Sequence, residues 1–199
     1  MPQRLKKISE ETIHENPWWK AKHDVFEFKD GETGDYFYSE LPGTAIIIPV
    51  LPDGRIVLVL QHRYLMDKQS IEFPGGGVKE GQAPIEAAKN ELFEETGCLT
   101  EDFKQIGVFE PSRGIMKNKT SVYIVQVTEQ REPPSRDKTE EDMEILYRTP
   151  GDIDRMIQQH DIWCGMTIAS WMLARHHFFK EVTEQEAPGL KGVIDQFIG

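Results

Sequence analysis

Apolar positions along the chain fall into short runs separated by turn chemistry. Strands are predicted over Ala21 to Phe28, Tyr36 to Ser39, Thr44 to Val50, Arg55 to Gln61, Phe103 to Phe109, Ser121 to Val127 and Glu144 to Tyr147. Asp30-Gly31 joins the first two into an N-terminal hairpin that reads as an accessory sheet. Pro52-Asp53-Gly54 separates two nearly continuous apolar runs, which read as central strands. Helices are predicted over Pro84 to Thr96, near Gly151 to Gln159 and from about Met166 to Phe179, whereas Glu129 to Glu140 reads as a polar, proline-containing loop. After Lys180, Pro188-Gly189 precedes Leu190 to Ile198, a tail that fits either a docked amphipathic turn or a disordered end. Helices around mixed strands imply an α/β sandwich. The expected division is an accessory segment over 1–41, a main domain over 42–180 and a tail over 181–199.

The first helix is the most sharply specified element. Pro84 suits a first helical turn and Gly97 a left-handed stop. At about 100° per residue, Glu91, Glu94 and Glu95 share one side of the helix, while Ile85, Ala88 and Leu92 face another and can be buried. The run Gly75-Gly76-Gly77 lies just ahead. Clustered carboxylates repel one another and suit a hard divalent cation such as Mg²⁺ or Mn²⁺, which would also hold phosphate. A solvated acidic helix face is the plain alternative. The glycines favour the metal reading, because a backbone without Cβ lets its carbonyl or amide approach an ion.

Composition narrows the function. The chain has 199 residues and a formal net charge of −11, which opposes nonspecific nucleic-acid or anionic-membrane binding. No apolar stretch approaches the ~20 residues of a membrane span, and the polar N-terminus lacks a signal-peptide core, so a cytoplasmic protein is expected. Cys98 and Cys164 form neither a disulfide framework nor a metal-ligand spacing and read as small apolar groups. His176 and His177 are adjacent on a helix and lack the spacing of a helical zinc pair.

Gly76 to Cys98 resembles the Nudix box: Gly, five residues, Glu, seven residues, then Arg-Glu-aliphatic-any-Glu-Glu-any-Gly-aliphatic. Gly76, Glu91, Leu92, Glu94, Glu95 and Gly97 fit the pattern. Gln82 stands where the family has Glu, and Asn90 where it has Arg. Both lost charges belong to one oppositely charged pair, so the changes read as compensating, with an amide–amide hydrogen bond in place of the ion pair. From Trp18 to about His177 the chain is similar to the ADP-ribose and nucleoside-diphosphate-sugar pyrophosphatases of that family, including Gln61-His62-Arg63-Tyr64 and Ile71-Glu72-Phe73-Pro74. The subgroup's Ser-Pro-Gly segment corresponds here to Pro111-Ser112-Arg113-Gly114, which fits a broad nucleotide-sugar range better than strict ADP-ribose preference.

The resemblance implies the Nudix α/β/α sandwich, a homodimer whose N-terminal hairpin reaches toward the partner, and Mg²⁺-dependent hydrolysis of a nucleotide-sugar pyrophosphate. It implies Glu91 and Glu95 as metal ligands, Glu94 as a further or water-bridged one, and the Gly75 carbonyl as a backbone ligand. The general base is implied at Glu140 or Glu141, with Glu91 as the alternative and a plain acidic loop as the competing reading. Arg63 and Arg113 are candidates to grip the diphosphate, or structural ion-pair residues. Glu72 is suited to a ribose hydroxyl or an arginine. Trp18 and Trp19 offer flat faces for a base at the dimer seam, unless one is a core residue. Two competing functions remain: a nucleotide-sugar sensor without turnover, and a Nudix enzyme acting on nucleoside triphosphates or capped RNA.

Overall fold

The structure, a computed structural model, describes residues 4–134 and 142–179. In chain order the elements are β1 (Lys6–Glu15), β2 (Lys20–Glu27), β3 (Thr33–Glu40), β4 (Thr44–Val50), β5 (Ile56–Arg63), β6 (Lys68–Glu72), β7 (Gly75–Gly77), α1 (Pro84–Thr96), β8 (Cys98–Leu99), β9 (Phe103–Phe109), β10 (Met116–Lys117), β11 (Thr120–Gln126), β12 (Glu129–Gln130), β13 (Glu144–Arg148), α2 (Pro150–Gln158) and α3 (Gly165–Ala174). Short 3₁₀ turns follow β5 and α3.

The main sheet runs β13-β5-β4-β11-β9, with β6 added to β5 and β7 to β4. Strand β4 lies at its centre, parallel to β11, and the crossover between them carries α1. Its run of apolar residues is nearly unbroken because both faces are covered. Ala45 and Ile47 pack with Val57, Ala88, Leu92, Tyr123 and Val125 on the α1 side. Ile46, Ile48 and Val50 pack with Leu58, Ile153, Ile162 and Trp171 on the α2–α3 side. These two cores form the α/β/α sandwich expected from the sequence. Trp171 anchors the second one, stacked 5.4 Å from Phe178 and with its indole N–H 2.6 Å from Asp154.

Strands β4 and β5 pair only at Val50 and Ile56, beside the Pro52-Asp53-Gly54 turn. They then diverge, and the opening is filled by β6 against β5 and by β7 against β4. Phe73-Pro74 crosses between them, with the Pro74 carbonyl accepting the Ile47 N–H at 2.9 Å. The glycine strand is therefore set at the split in the sheet, facing α1.

The expected N-terminal hairpin is β2–β3, and β1 extends it along its outer edge. Every residue of β1 is exposed. Its sequence therefore offers no apolar stripe, and cross-strand charge pairs such as Lys22–Glu10 at 2.6 Å and Lys7–Asp24 at 2.7 Å accompany its ladder instead. The parallel pairing of β10 with β3 ties this sheet to the loop after β9. The predicted polar loop after Val127 is interrupted by β12, which pairs with β8. The last helix ends at Ala174 rather than near Phe179, and a 3₁₀ turn continues it. The tail from residue 180 lies outside the described residues. No described helix is long and apolar enough to cross a membrane.

Candidate active site

Helix α1 occupies the predicted residues, with Pro84 in its first turn and Gly97 in the left-handed conformation at its end. The Gly97 N–H closes the helix on the Phe93 carbonyl at 2.8 Å. Ala87, Ala88 and Leu92 are buried, which docks the helix on β4 and fixes the direction of the neighbouring strip. Burying a leucine contributes about 1.5–3 kcal/mol, so this docking is well specified.

Glu95 is buried, and one of its oxygens accepts the Gly75 N–H at 2.9 Å. That bond lessens the cost of keeping a carboxylate away from water and fixes it at the glycine strand. Glu91 faces the next residue of β7. A Cβ on Gly76 would run into the Glu91 carboxylate, whereas a Cβ on Gly75 would run into the Ala45 carbonyl. The two glycines are thus required for different reasons: one leaves room for a functional side chain, the other for strand pairing. Glu94 is exposed on the helix. Among the described residues, no three His, Cys, Asp or Glu side chains form a ready-made cation cage. Mutual repulsion of the carboxylates opposes such a cluster in the protein alone.

Whether this donor set fits a divalent cation is tested by the cradle itself. Two carboxylates, one turn apart, converge on a backbone stripped of side chains, and all the donors are oxygen. Hard cations such as Mg²⁺ take such oxygen ligands and complete their shells with water and phosphate. The residues fit.

Arg63 and Glu72 meet in a two-pronged ion pair, Nε to Oε1 at 2.8 Å and a terminal nitrogen to Oε2 at 2.5 Å. Of the two partners offered to Glu72 by the sequence, ribose hydroxyl or arginine, the structure thus shows an arginine. Burial alone would push the Glu72 carboxyl up, but the Arg63 guanidinium outweighs it and holds the group below the usual carboxylate range. The Cys164 thiol also lies against Glu72, a neighbour that spacing along the chain does not disclose. Cys98, by contrast, is the buried apolar group expected.

Arg113 is exposed and lines a hollow of about 290 Å³ with Lys7, Tyr36, Tyr38 and Lys117, over the N-terminal sheet. The walls of that hollow include none of the helix glutamates. The loop is held there by the Tyr36 hydroxyl, which donates to the Gly114 carbonyl at 2.7 Å, and by β10. Trp18 and Trp19 are both exposed, at 74 % and 38 %, in the turn between β1 and β2, where Asn16 Oδ1 accepts both of their backbone N–H groups. The core tryptophan is Trp171 instead.

The expected amide–amide bond between Gln82 and Asn90 is not formed. Gln82 Oε1 accepts the Lys79 N–H at 3.0 Å, tightening the loop before α1, and Asn90 is exposed on the helix. Once both charges are gone, a short backbone contact satisfies the glutamine and solvent satisfies the asparagine. Asn118, 4 % exposed, is a further polar residue missed by the sequence reading: it donates to Thr44 Oγ1 at 3.0 Å, and Thr44 pairs with Gly77. Glu140 and Glu141 lie outside the described residues.

Residues 40–163 match the family model described as NUDIX domain. The chain is 24 % identical to ADP-ribose pyrophosphatase of Bacillus subtilis (strain 168), over 82 % of this chain and 91 % of that protein. It is 25 % identical to the methanol dehydrogenase activator of Bacillus methanolicus, over 82 % of this chain and 88 % of that one. A CMP-5'-(N-acetyl-N-hydroxy-3-aminopropyl)phosphonate hydrolase of Streptomyces rubellomurinus is 27 % identical over 58 % of this chain, which spans about half (56 %) of that relative's length. The fold is shared with a crystal structure of an ADP compounds hydrolase, at a TM-score of 0.73 and 17 % identity, covering 87 % of this chain and 94 % of that one.

Proposed function

Since the chain belongs to the Nudix hydrolase family, we propose that it hydrolyses the pyrophosphate linkage of nucleoside diphosphate sugars, ADP-ribose or GDP-mannose among them, to a nucleoside monophosphate and a sugar phosphate. Family members work with a divalent cation, and the all-oxygen donor set favours Mg²⁺, with Mn²⁺ as a substitute. The observation that carries this reading is the convergence of Glu91 and Glu95 on Gly76 and Gly75 of β7.

In this reading Glu91 and Glu95 hold the cation, with Glu94 at the exposed margin and the Gly75 carbonyl as the backbone ligand. When bound, the cation screens the phosphate charge and acidifies water. The chain's own residues do the remainder. Burial of Glu95 and its bond from Gly75 keep one ligand in place before substrate arrives, so less order is lost on binding. Arg63 presents a guanidinium that is partly open to solvent, with its side chain 44 % exposed, for a diphosphate oxygen. The proton of the attacking water goes to a carboxylate, assigned to Glu140 or Glu141 or, failing those, to Glu91.

The proposal extends to a homodimer formed through the segment 1–41, with the main domain over 42–180. Ile13, Trp18, Phe28 and Phe37 are exposed apolar residues of that segment, a composition suited to a partner surface. Trp18 or Trp19 would then stand at the seam, where a flat ring can stack on a base. Arg113 projects over the same sheet, so its contact with substrate is assigned to the assembled dimer.

The test is product release in Mg²⁺ across ADP-ribose, GDP-mannose, UDP-glucose and dGTP. Nucleoside monophosphate from the sugar nucleotides supports the proposal. Turnover confined to dGTP replaces it with triphosphate hydrolysis, and tight binding without turnover replaces it with a sensor.

A further inference from the structure

The ion pair of Arg63 with Glu72 runs diagonally across the β5–β6 ladder. In the β5–β6 ladder Arg63 stands opposite Lys68, while Glu72 stands opposite Val59, four positions back along β5. An even separation puts Val59 and Arg63 on the same face. That is the face of Val57, which packs with Ala88 and Leu92 of α1. The arginine therefore lies back along the strand on the α1 side of the sheet, and its charge is felt by Glu95.

The two partners differ in exposure. The Glu72 side chain is 9 % exposed and that of Arg63 is 44 %. A guanidinium donates in a plane from several edges, and the fork to Glu72 uses Nε and one terminal nitrogen. The remaining N–H groups leave on the other side. A single buried acid thus grips the inner edge of an arginine whose outer edge is open.

We propose that Glu72 is a positioning residue, which locks Arg63 so that its outer edge receives the substrate diphosphate at the margin of the glutamate site. Glu72 touches the arginine and not the substrate. The assignment rests on the reading of Arg63 as the phosphate grip given above. It fits the chemistry of phosphate recognition, because an arginine held in one rotamer loses little freedom when a phosphate binds.

The test titrates inorganic pyrophosphate in Mg²⁺ into the full-length wild type and into Glu72→Gln and Arg63→Lys, alongside kcat, KM and melting temperature. The glutamine is isosteric but carries one acceptor oxygen instead of two, and a lysine cannot make the fork. Pyrophosphate affinity is expected to fall at least tenfold in both variants. For Glu72→Gln, KM for the nucleotide sugar should rise by a similar factor while kcat changes less. Unchanged pyrophosphate binding in Glu72→Gln overturns the proposal, as does absence of pyrophosphate binding by the wild type. A loss of kcat that tracks a lowered melting temperature, without a selective effect on pyrophosphate, also overturns it. Should Glu72→Gln fail to fold, Glu72→Asp takes its place, since a shortened carboxylate cannot reach both nitrogens. If the wild type turns over none of the nucleotide sugars, the functional proposal fails while the pyrophosphate titration still decides the role of Glu72.

Discussion

The backbone N–H of Gly75 donates to Glu95 at 2.9 Å, so the buried carboxylate of the Nudix helix is tied to the glycine strand before any ligand binds. Substituting Glu95→Gln separates this structural bond from the chemistry. An amide oxygen still accepts the Gly75 N–H, but it is a weaker cation ligand of the same size. Turnover in Mg²⁺ is expected to fall on the order of 100-fold or more. The melting temperature should move by less than about 4 °C, the equivalent of ~1 kcal/mol in a domain of this size. Undiminished turnover in a release assay rejects Glu95 as a ligand.

Gly75 and Gly76 of β7 should respond to alanine in opposite ways. At Gly76 the obstacle is the end of a flexible side chain, Glu91, so Gly76→Ala should fold and lose activity by displacing that carboxylate. At Gly75 the obstacle is the Ala45 carbonyl in the paired strand. Gly75→Ala should therefore lower stability, by about 1–3 kcal/mol as for other overpacked sites. Thermal melts and steady-state rates on both variants check the contrast. Equal stability losses at the two positions would contradict it.

These positions also show what the sequence could and could not disclose. Helix α1 was legible to its end residues, because proline, glycine and an apolar stripe all specify it. The central strands were legible for a similar reason: buried on both faces, they carry little but apolar residues. Strand β7 consists of glycines and has no side-chain pattern to read, and β1 is exposed throughout. The fork between Arg63 and Glu72 depends on a diagonal across the β5–β6 ladder, which spacing along the chain does not encode. The direction of the loop that carries Arg113 depends on Tyr36, 78 positions away from Gly114. Tertiary register decides such contacts.

Gln82 and Asn90 give a sharper instance. Compensation between them was expected from the sequence, yet Gln82 bonds to the Lys79 backbone and Asn90 is exposed. Residues without a shared contact combine additively, within about 0.5 kcal/mol. In a double-mutant cycle, Gln82→Asn and Asn90→Ala should therefore show no coupling in stability. Restoring the family charges with Gln82→Glu and Asn90→Arg is a different experiment, since it introduces two opposite charges that this chain lacks. A coupling well above that limit between the two neutral substitutions would show a contact that the structure lacks.

The N-terminal sheet should carry a pH dependence of its own. His23 on β2 places Nδ1 2.8 Å from Glu11 on β1 and Nε2 2.7 Å from Asp35 on β3, with its ring stacked on Phe37 at 4.4 Å. Carboxylates accept and do not donate, so only the doubly protonated ring satisfies both partners. The hydrogen bonds to Glu11 and then Asp35 hold the imidazolium pKa above that of a free histidine. A raised folded pKa means that the stabilisation is complete below the unfolded value and is lost as pH rises through the folded one. Glu11 and Asp35 are the charged groups that bond the ring, and both strands next to β2 are tied through it. Replacing His23→Gln should therefore cost stability near pH 6 and progressively less toward pH 9. The difference between wild-type and variant melting temperatures across that range is the measurement, with the imidazole nitrogens followed by NMR to locate the titration. If the two stability curves run parallel, or if the ring titrates like free histidine, the His23 clasp contributes nothing to the docking of β1.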